Sequence, residues 1–370
     1  MNARVHPTNL VGQNVQSHYL PALDGLRFIA FMLVFIHHLP LSDFSETLYW
    51  LKTYGWVGVE LFFVISSYLF FYLLRAEQEK TGRISFSAFY LRRFLRLYPL
   101  MAAFPIGMYL IYGFQDEFGF ARLAGILLFS DNLITWVKGY NFSIMHTAHL
   151  WTLSFEFQVY LIMPLAFAIY STRGRSRLVQ TLIAVLVFSF VLRATFFALG
   201  SPHPVIWATP FLRPESVVAG MLLALLAPRW HWSISAALSA ASGWVFFTLP
   251  SPWDASVASA LQYPIAAIMC VFLVDATLRS PLLSSALSVR PMKYLGARSF
   301  GLYVFHTFAI AIAVSQAGRY AWTNSSTQYV AIFSLSLIMT MALAAISYPL
   351  VEKPFLKIKK RFTYVPSRPI

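Results

Sequence analysis

The first apolar stretch, LPALDGLRFIAFMLVFIHHLP, carries Asp24, Arg27, His37 and His38 among residues that otherwise suit a lipid bilayer. Ionisable groups inside a membrane span are expensive and mark function by default. His38 follows Arg27 by eleven positions. At roughly 100° per residue that is about three helical turns, so both share one face, about 16 Å apart along the axis. Asp24 lies three residues before Arg27, close enough on a helix to pair with it. His37 is rotated by about 100° and reads as an interfacial anchor. An imidazole that takes a proton near pH 7 is a general base, and a fixed guanidinium is a fork for carbonyl or phosphate oxygens.

Further candidates lie downstream. In HLWTLSFEFQVYLIMP, His149 and Glu156 are seven residues apart, again one helix face. A buried carboxylate needs a partner or a proton; Glu156 is either functional or half of an ion pair with Arg27, Arg193 or Arg213. His306 in SFGLYVFHTF is either a packing residue or reactive, and Glu352 in YPLVEKPFLK is either functional or an interfacial carboxylate balanced by Lys353. In FYLRRFLRLYPL, Arg93 and Arg96 share a face at a helix start. Such a fork suits phosphate, or serves orientation and anionic lipid.

The elements that must hold these residues are membrane helices. Of 370 residues, 58% are hydrophobic and 11% charged, against about 25% charged in soluble domains. This nearly excludes a soluble enzyme. The net charge of +14 fits basic loops that fix orientation rather than nucleic-acid binding. The lone Cys270 permits neither a disulfide framework nor a cysteine metal site. No apolar run precedes Leu20, so no cleavable signal peptide is expected. Phosphate-loop, dinucleotide, HExxH and GxSxG patterns are absent, and no metal site is expected.

Spans are expected near 22–40, 54–74, 97–114, 150–170, 178–199, 207–227, 232–250, 257–278, 299–317 and 326–350. Segments 75–96, 171–177 and 279–298 and the tail concentrate Lys and Arg, which marks the cytoplasmic side. An even number of crossings must separate 75–96 from 171–177, so 118–137 is an external or re-entrant segment. The predicted fold is an all-α integral membrane protein. Its ten transmembrane helices form one bundle and one domain over 1–370, with cytoplasmic tails at 1–20 and 351–370.

Together these residues resemble the membrane acyltransferase family 3, over nearly the whole chain. DGLRFIAFMLVFIHH matches the family's arginine–ten–histidine signature with Arg27 and His38. GWVGVELFFVISSYL resembles the glycine-bearing second span, with Ser67 where glycine is usual. Arg93 and Arg96 match its arginine pair. Trp151, Leu153 and Glu156 match its tryptophan–serine–leucine–x–x–glutamate signature, with Thr152 replacing serine. SFGLYVFH and YPLVEKPF resemble later elements.

The resemblance implies a multi-pass enzyme of a bacterial inner or plasma membrane. It would move an acyl group, usually acetyl, from cytoplasmic acyl-CoA to a hydroxyl of a saccharide or lipid-linked glycan. No permanently bound cofactor is implied, and the partners are acyl-CoA, the acceptor and membrane lipid. His38 would be the base, by direct attack or through an acyl-histidine. Arg93 and Arg96 would hold CoA phosphates, and Arg27, fixed by Asp24, would bind the CoA arm or orient the site. Glu156 would orient His38 or contact the acceptor, with His149, Trp151, His306 and Glu352 in support. The offset of Arg27 from His38 is comparable with an extended pantetheine arm, so CoA could enter from one side and react deeper. The family often carries a fused extracytoplasmic domain, and none is expected in this chain, which runs to Ile370. The rival reading is a transporter of a polar envelope precursor. It predicts two pseudo-symmetric halves, and the stripe of the first span has no counterpart in the sixth.

Overall fold

A computed structural model describes residues 18–40, 46–140, 143–201, 203–254, 256–320 and 324–365, and these contain helices and no strand. Of the expected tails, 1–17 and 366–370 lie outside the described residues, while 351–365 are described and are largely helical. The first half comprises α1 (Pro21–His38), α2 (Glu46–Tyr54), α3 (Val57–Thr81), α4 (Phe86–Tyr112), α5 (Gly119–Leu127), α6 (Asp131–Lys138), α7 (Trp151–Ala198) and α8 (Val205–Ala208). The second comprises α9 (Glu215–Leu226), α10 (Trp232–Thr248), α11 (Gln262–Arg279), α12 (Pro281–Leu287), α13 (Arg290–Ala297), α14 (Ser299–Ala317), α15 (Ser325–Ser347) and α16 (Lys353–Lys360).

Among the described residues, seven helical stretches are long and apolar enough to cross a membrane: Pro21–His38, Tyr49–Thr81, Phe86–Tyr112, Ala148–Ala198, Ala258–Arg279, Ser299–Ala317 and Ser326–Lys360. The chain is thus an all-helical membrane protein, with a span pattern that differs in detail from ten uniform helices. Two expected spans lie within the 48-residue α7, on either side of Gly174. Gly174 has φ 80° and ψ 172°, a conformation that breaks the helix and that glycine adopts at no steric cost. The expected span 207–227 is interrupted. Pro210 and Pro214 cannot donate to a helical ladder, so α8, a 3₁₀ turn at Pro210–Leu212 and a 12-residue α9 replace one long helix. At 17 residues, α10 is also short. The segment 118–137 forms α5 and α6, neither of spanning length. The fully buried Arg122–Asp131 ion pair, 2.9 Å, joins them.

α1 is held at the centre by very close backbone approaches. A Cβ on Gly58 of α3 would lie 2.2 Å from the Ala30 carbonyl oxygen, and one on Gly296 of α13 only 1.7 Å from that of Asp24. Lipid tails are as apolar as leucine, so small residues that let helices touch drive packing here. Gly220 of α9 meets Ser67 of α3 in the same way, with a virtual Cβ 2.0 Å from Ser67 Oγ. Across that contact Arg213 bonds Glu60 at 2.5 Å, and Arg193 of α7 bonds Glu215 of α9 at 2.6 Å. Removing one partner of such a buried pair is strongly destabilising. These contacts fix where α1 presents Arg27 and His38.

Candidate functional site at the two ends of α1

At the Arg27 end lies a cavity of about 590 Å³. Its wall carries Arg27, Arg92, Arg93, Arg96, Lys359 and Lys360, against Asp24, Glu77 and Glu352. Six cations face three carboxylates, and two of those carboxylates are already paired. Asp24 accepts from Arg27 at 3.0 Å and from the Tyr19 hydroxyl at 2.9 Å. Glu77 accepts from Arg92 at 2.8 Å. Arg93 and Arg96 are in no ion pair among the described residues. Arg93 is buried, lies 4.0 Å over the Phe70 ring and leaves its Nε without a partner. The excess charge and the uncommitted fork suit a phosphorylated ligand.

A smaller cavity of about 60 Å³ continues from this one and shares Arg27, Arg96 and Phe300 with it. Its wall adds Ser66, Thr152, Glu156 and Tyr303. Ser66 donates to Glu156 at 3.2 Å, and the Tyr160 hydroxyl also donates to Glu156. Thr152 and Tyr303 bond each other at 2.5 Å, and Tyr303 donates to the His149 carbonyl at 3.0 Å. Tyr303 therefore stands between the cavities and the far end of α1.

At that far end three imidazoles come together from three elements: His38 closing α1, His149 on the 3₁₀ turn Ala148–Leu150, and His306 on α14. Ring centroids are 4.8 Å apart for His38–His306 and 4.9 Å for His149–His306. His306 Nδ1 lies 2.5 Å from the Tyr303 carbonyl. A carbonyl only accepts, so Nδ1 carries the hydrogen and Nε2 of the neutral ring is an acceptor. His38 Nδ1 lies 3.2 Å from that Nε2 and 2.9 Å from the Val34 carbonyl. Both are acceptors, which assigns the His38 hydrogen to Nδ1 and leaves its Nε2 lone pair open among the described residues. His38 is exposed, while His306 and His149 are buried. A base whose second nitrogen is oriented by another group is the arrangement that proton transfer needs. Among the described residues no group of His, Cys, Asp or Glu is arranged to hold a metal ion.

The expected residues therefore divide between two chambers. Arg27, Asp24, Arg93, Arg96 and Glu352 line the basic cavity. Glu352 is buried in the π-turn Tyr348–Glu352, not balanced at a surface by Lys353, and its Oε1 has no partner. His38, His149 and His306 form the imidazole cluster. His37 faces elsewhere, bonding the Lys52 carbonyl at 2.7 Å and stacking on Trp253. Glu156 departs from expectation. Its hydrogen-bond partners are Ser66 and Tyr160, so it belongs with Arg27 and Arg96 and does not orient His38. It is not the ion-pair partner of Arg193 or Arg213, which bind Glu215 and Glu60. Trp151 is buried, edge-on to Trp207, with Arg213 5.5 Å from its ring, and serves the core. Sequence reasoning missed Lys359 and Tyr303. The first was hidden in a run of tail lysines, the second in an apolar span.

A model of the acyltransferase domain family matches residues 20–348. O-acetyltransferase OatA of Staphylococcus aureus, from strains NCTC 8325, COL and MRSA252, is 28% identical over 95% of this chain. The match covers 59% of the length of those relatives. No solved structure matches the chain.

Proposed function

The chain belongs to the membrane acyltransferase family 3, and from that premise we propose that it is an O-acyltransferase. It moves an acetyl-type group from cytoplasmic acyl-CoA to a hydroxyl of a saccharide or lipid-linked glycan at the opposite face of a bacterial cell membrane. The observation that carries this reading is the pairing of chambers on one helix. A cavity with uncommitted arginines lies at the Arg27 end, and an imidazole with an open Nε2 at the His38 end.

In this mechanism Arg93 and Arg96 hold CoA phosphates, with Lys359 as a third cation. Arg27, fixed by Asp24, binds the arm where the two cavities meet. The thioester passes Tyr303 and Thr152 to reach His38. His38 Nε2 takes the proton of the acceptor hydroxyl as its oxygen attacks the thioester carbonyl. The C–S bond then breaks and the proton returns to the CoA sulfur, leaving an ester and the CoA thiol. Such base catalysis contributes typically 10²–10⁴-fold. His306 positions the base, and Glu156 acts on the donor side through its contact with the Arg27–Arg96 cavity.

The topology that suits this path has ten crossings and both termini cytoplasmic, the α7 break at Gly174 lying inside. Reporter fusions at Gly174 and Lys360 should both read cytoplasmic, and opposite readings would sink it. The activity is tested with purified protein, radiolabelled acetyl-CoA and envelope glycans. Label should move to the glycan fraction and free CoA should form. Absence of both products would overturn the transferase reading.

A further inference from the structure

We propose that Trp253, His203 and Tyr140 form an aromatic wall beside His38 that binds a saccharide ring of the acceptor. This rests on the transferase reading above. Trp253 sits on the short turn Pro252–Asp254 and is 39% exposed, although ring partners hold it on three sides. His37 stacks on it at 6.1 Å and 12°, His203 lies 3.8 Å away, and Trp207 lies 6.0 Å away. Trp207 is buried beneath and carries the Arg213 guanidinium 4.2 Å from its ring. The Tyr140 hydroxyl lies 2.9 Å from His203 Nε2. The wall is therefore built before any ligand arrives, and a preorganised site loses less ordering entropy on binding.

Its position matters as much as its rigidity. His37, whose ring stacks on Trp253, is 5.1 Å from His38 by ring centroids. The open indole and the open lone pair of His38 are two ring contacts apart. A sugar laid on the one presents its hydroxyls to the other. The chemistry selects the ligand class. An indole face is negative and attracts the slightly positive C–H face of a pyranose. His203 and Tyr140 add polar groups at the edge for hydroxyls. Burial pushes His203 down to about 3, with Arg213 and His37 adding to the effect, so its ring is neutral at pH 7. Burial likewise raises Tyr140, which keeps its hydroxyl hydrogen. The Arg213 guanidinium beneath the wall is balanced by Glu60, so the wall offers no net fixed charge to a charged guest and suits a neutral one.

The test compares Trp253→Ala, Trp253→Phe and His203→Ala with the wild type. It uses purified protein, radiolabelled acetyl-CoA and the total glycan fraction of the source envelope. Rates are measured against glycan concentration, and acetyl-CoA binding is measured in parallel. Trp253→Ala should raise the half-saturating glycan concentration about tenfold, the scale of one aromatic contact. Trp253→Phe should restore most of the loss, and acetyl-CoA binding should not move. Should Trp253→Ala also lose acetyl-CoA binding, and hence its fold, the other two variants decide: the proposal requires Phe to be near normal and His203→Ala to be weakened for glycan. Unchanged glycan saturation in folded Trp253→Ala would make the wall a membrane-interface anchor and overturn the proposal. A wild type that binds acetyl-CoA but acylates no glycan would instead strike the transferase reading itself.

Discussion

At the Arg27 end of α1, six cations and three carboxylates surround a roomy cavity; at the His38 end, three imidazoles from distant parts of the chain pack ring against ring. The first chamber has charge to spare and little fixed geometry beyond the Asp24–Arg27 and Glu77–Arg92 pairs. Among the described residues the second carries no carboxylate, and each imidazole is held by a backbone carbonyl or a neighbouring ring. Charge suits recognition of a polyanion, because attraction to phosphate tolerates small displacements. Proton transfer does not, since a base must point one nitrogen at the reacting hydroxyl. On the function proposed above, one helix separates binding from chemistry.

The sharpest way to break this division is His38→Ala. Transfer should fall by about 10²–10⁴-fold while acetyl-CoA binding survives, because the residue lies outside the basic cavity. Transfer rate and donor affinity, measured on the same purified variant, check it. Loss of donor binding would join the chambers into one.

The complementary variant is Arg93→Ala with Arg96→Ala. If each arginine makes a charged contact of about 1.5–3 kcal/mol, the double variant should raise the KM for acetyl-CoA by about a hundredfold or more, with kcat for bound donor little changed. Saturation curves in detergent exclude a contribution from membrane orientation. Normal donor affinity would reduce the pair to lipid or topology determinants.

Much of this arrangement was legible because it is local. The Asp24–Arg27 pair follows from a spacing of three, and the different facing of His37 and His38 from helical phase. The apolar runs mark the helices, and Arg93 and Arg96 share a face by the same spacing rule. What was not legible depends on contacts far apart in sequence. The meeting of His38 with His306 spans 268 positions, and that of Arg213 with Glu60 spans 153. Glu156 shows the difference well. Its spacing of seven from His149 suggested one shared face, but His149 lies on a 3₁₀ turn before α7 and packs on His306, while Ser66 of α3 takes Glu156. The interruption at 207–227 was written in Pro210 and Pro214, which hydropathy averages over. Trp253 lies in a short loop between apolar runs, where neither periodicity nor hydropathy marks a wall.

A smaller effect is expected from His306. With leucine in its place, His38 Nδ1 keeps the Val34 carbonyl but loses its second acceptor, and the ring is held less firmly. A hydrogen bond of about 0.5–1.5 kcal/mol predicts roughly a tenfold fall in kcat with donor KM unchanged. His306→Gln offers an amide oxygen to the same Nδ1–H and should recover part of the rate. Equal activity of the Leu and Gln variants would make His306 a packing residue.

The smallest effect separates neighbours in sequence. His37 shares residue type, helix and depth with His38, yet bonds the Lys52 carbonyl and stacks on Trp253 instead of joining His306. His37→Ala removes no proton acceptor from the reaction and only one of the rings that hold Trp253. The expected result is a few-fold rise in half-saturating acceptor, the scale of a weakened aromatic pair, with kcat and acetyl-CoA affinity within about twofold of wild type. The check is a side-by-side assay of His37→Ala and His38→Ala at matched purity, with donor and acceptor titrated separately. If His37→Ala were the dead variant and His38→Ala the active one, α1 would have to be rotated by about 100°. Arg27 would then leave the cavity it now shares with Arg96, and the separation of binding from chemistry would fall with it.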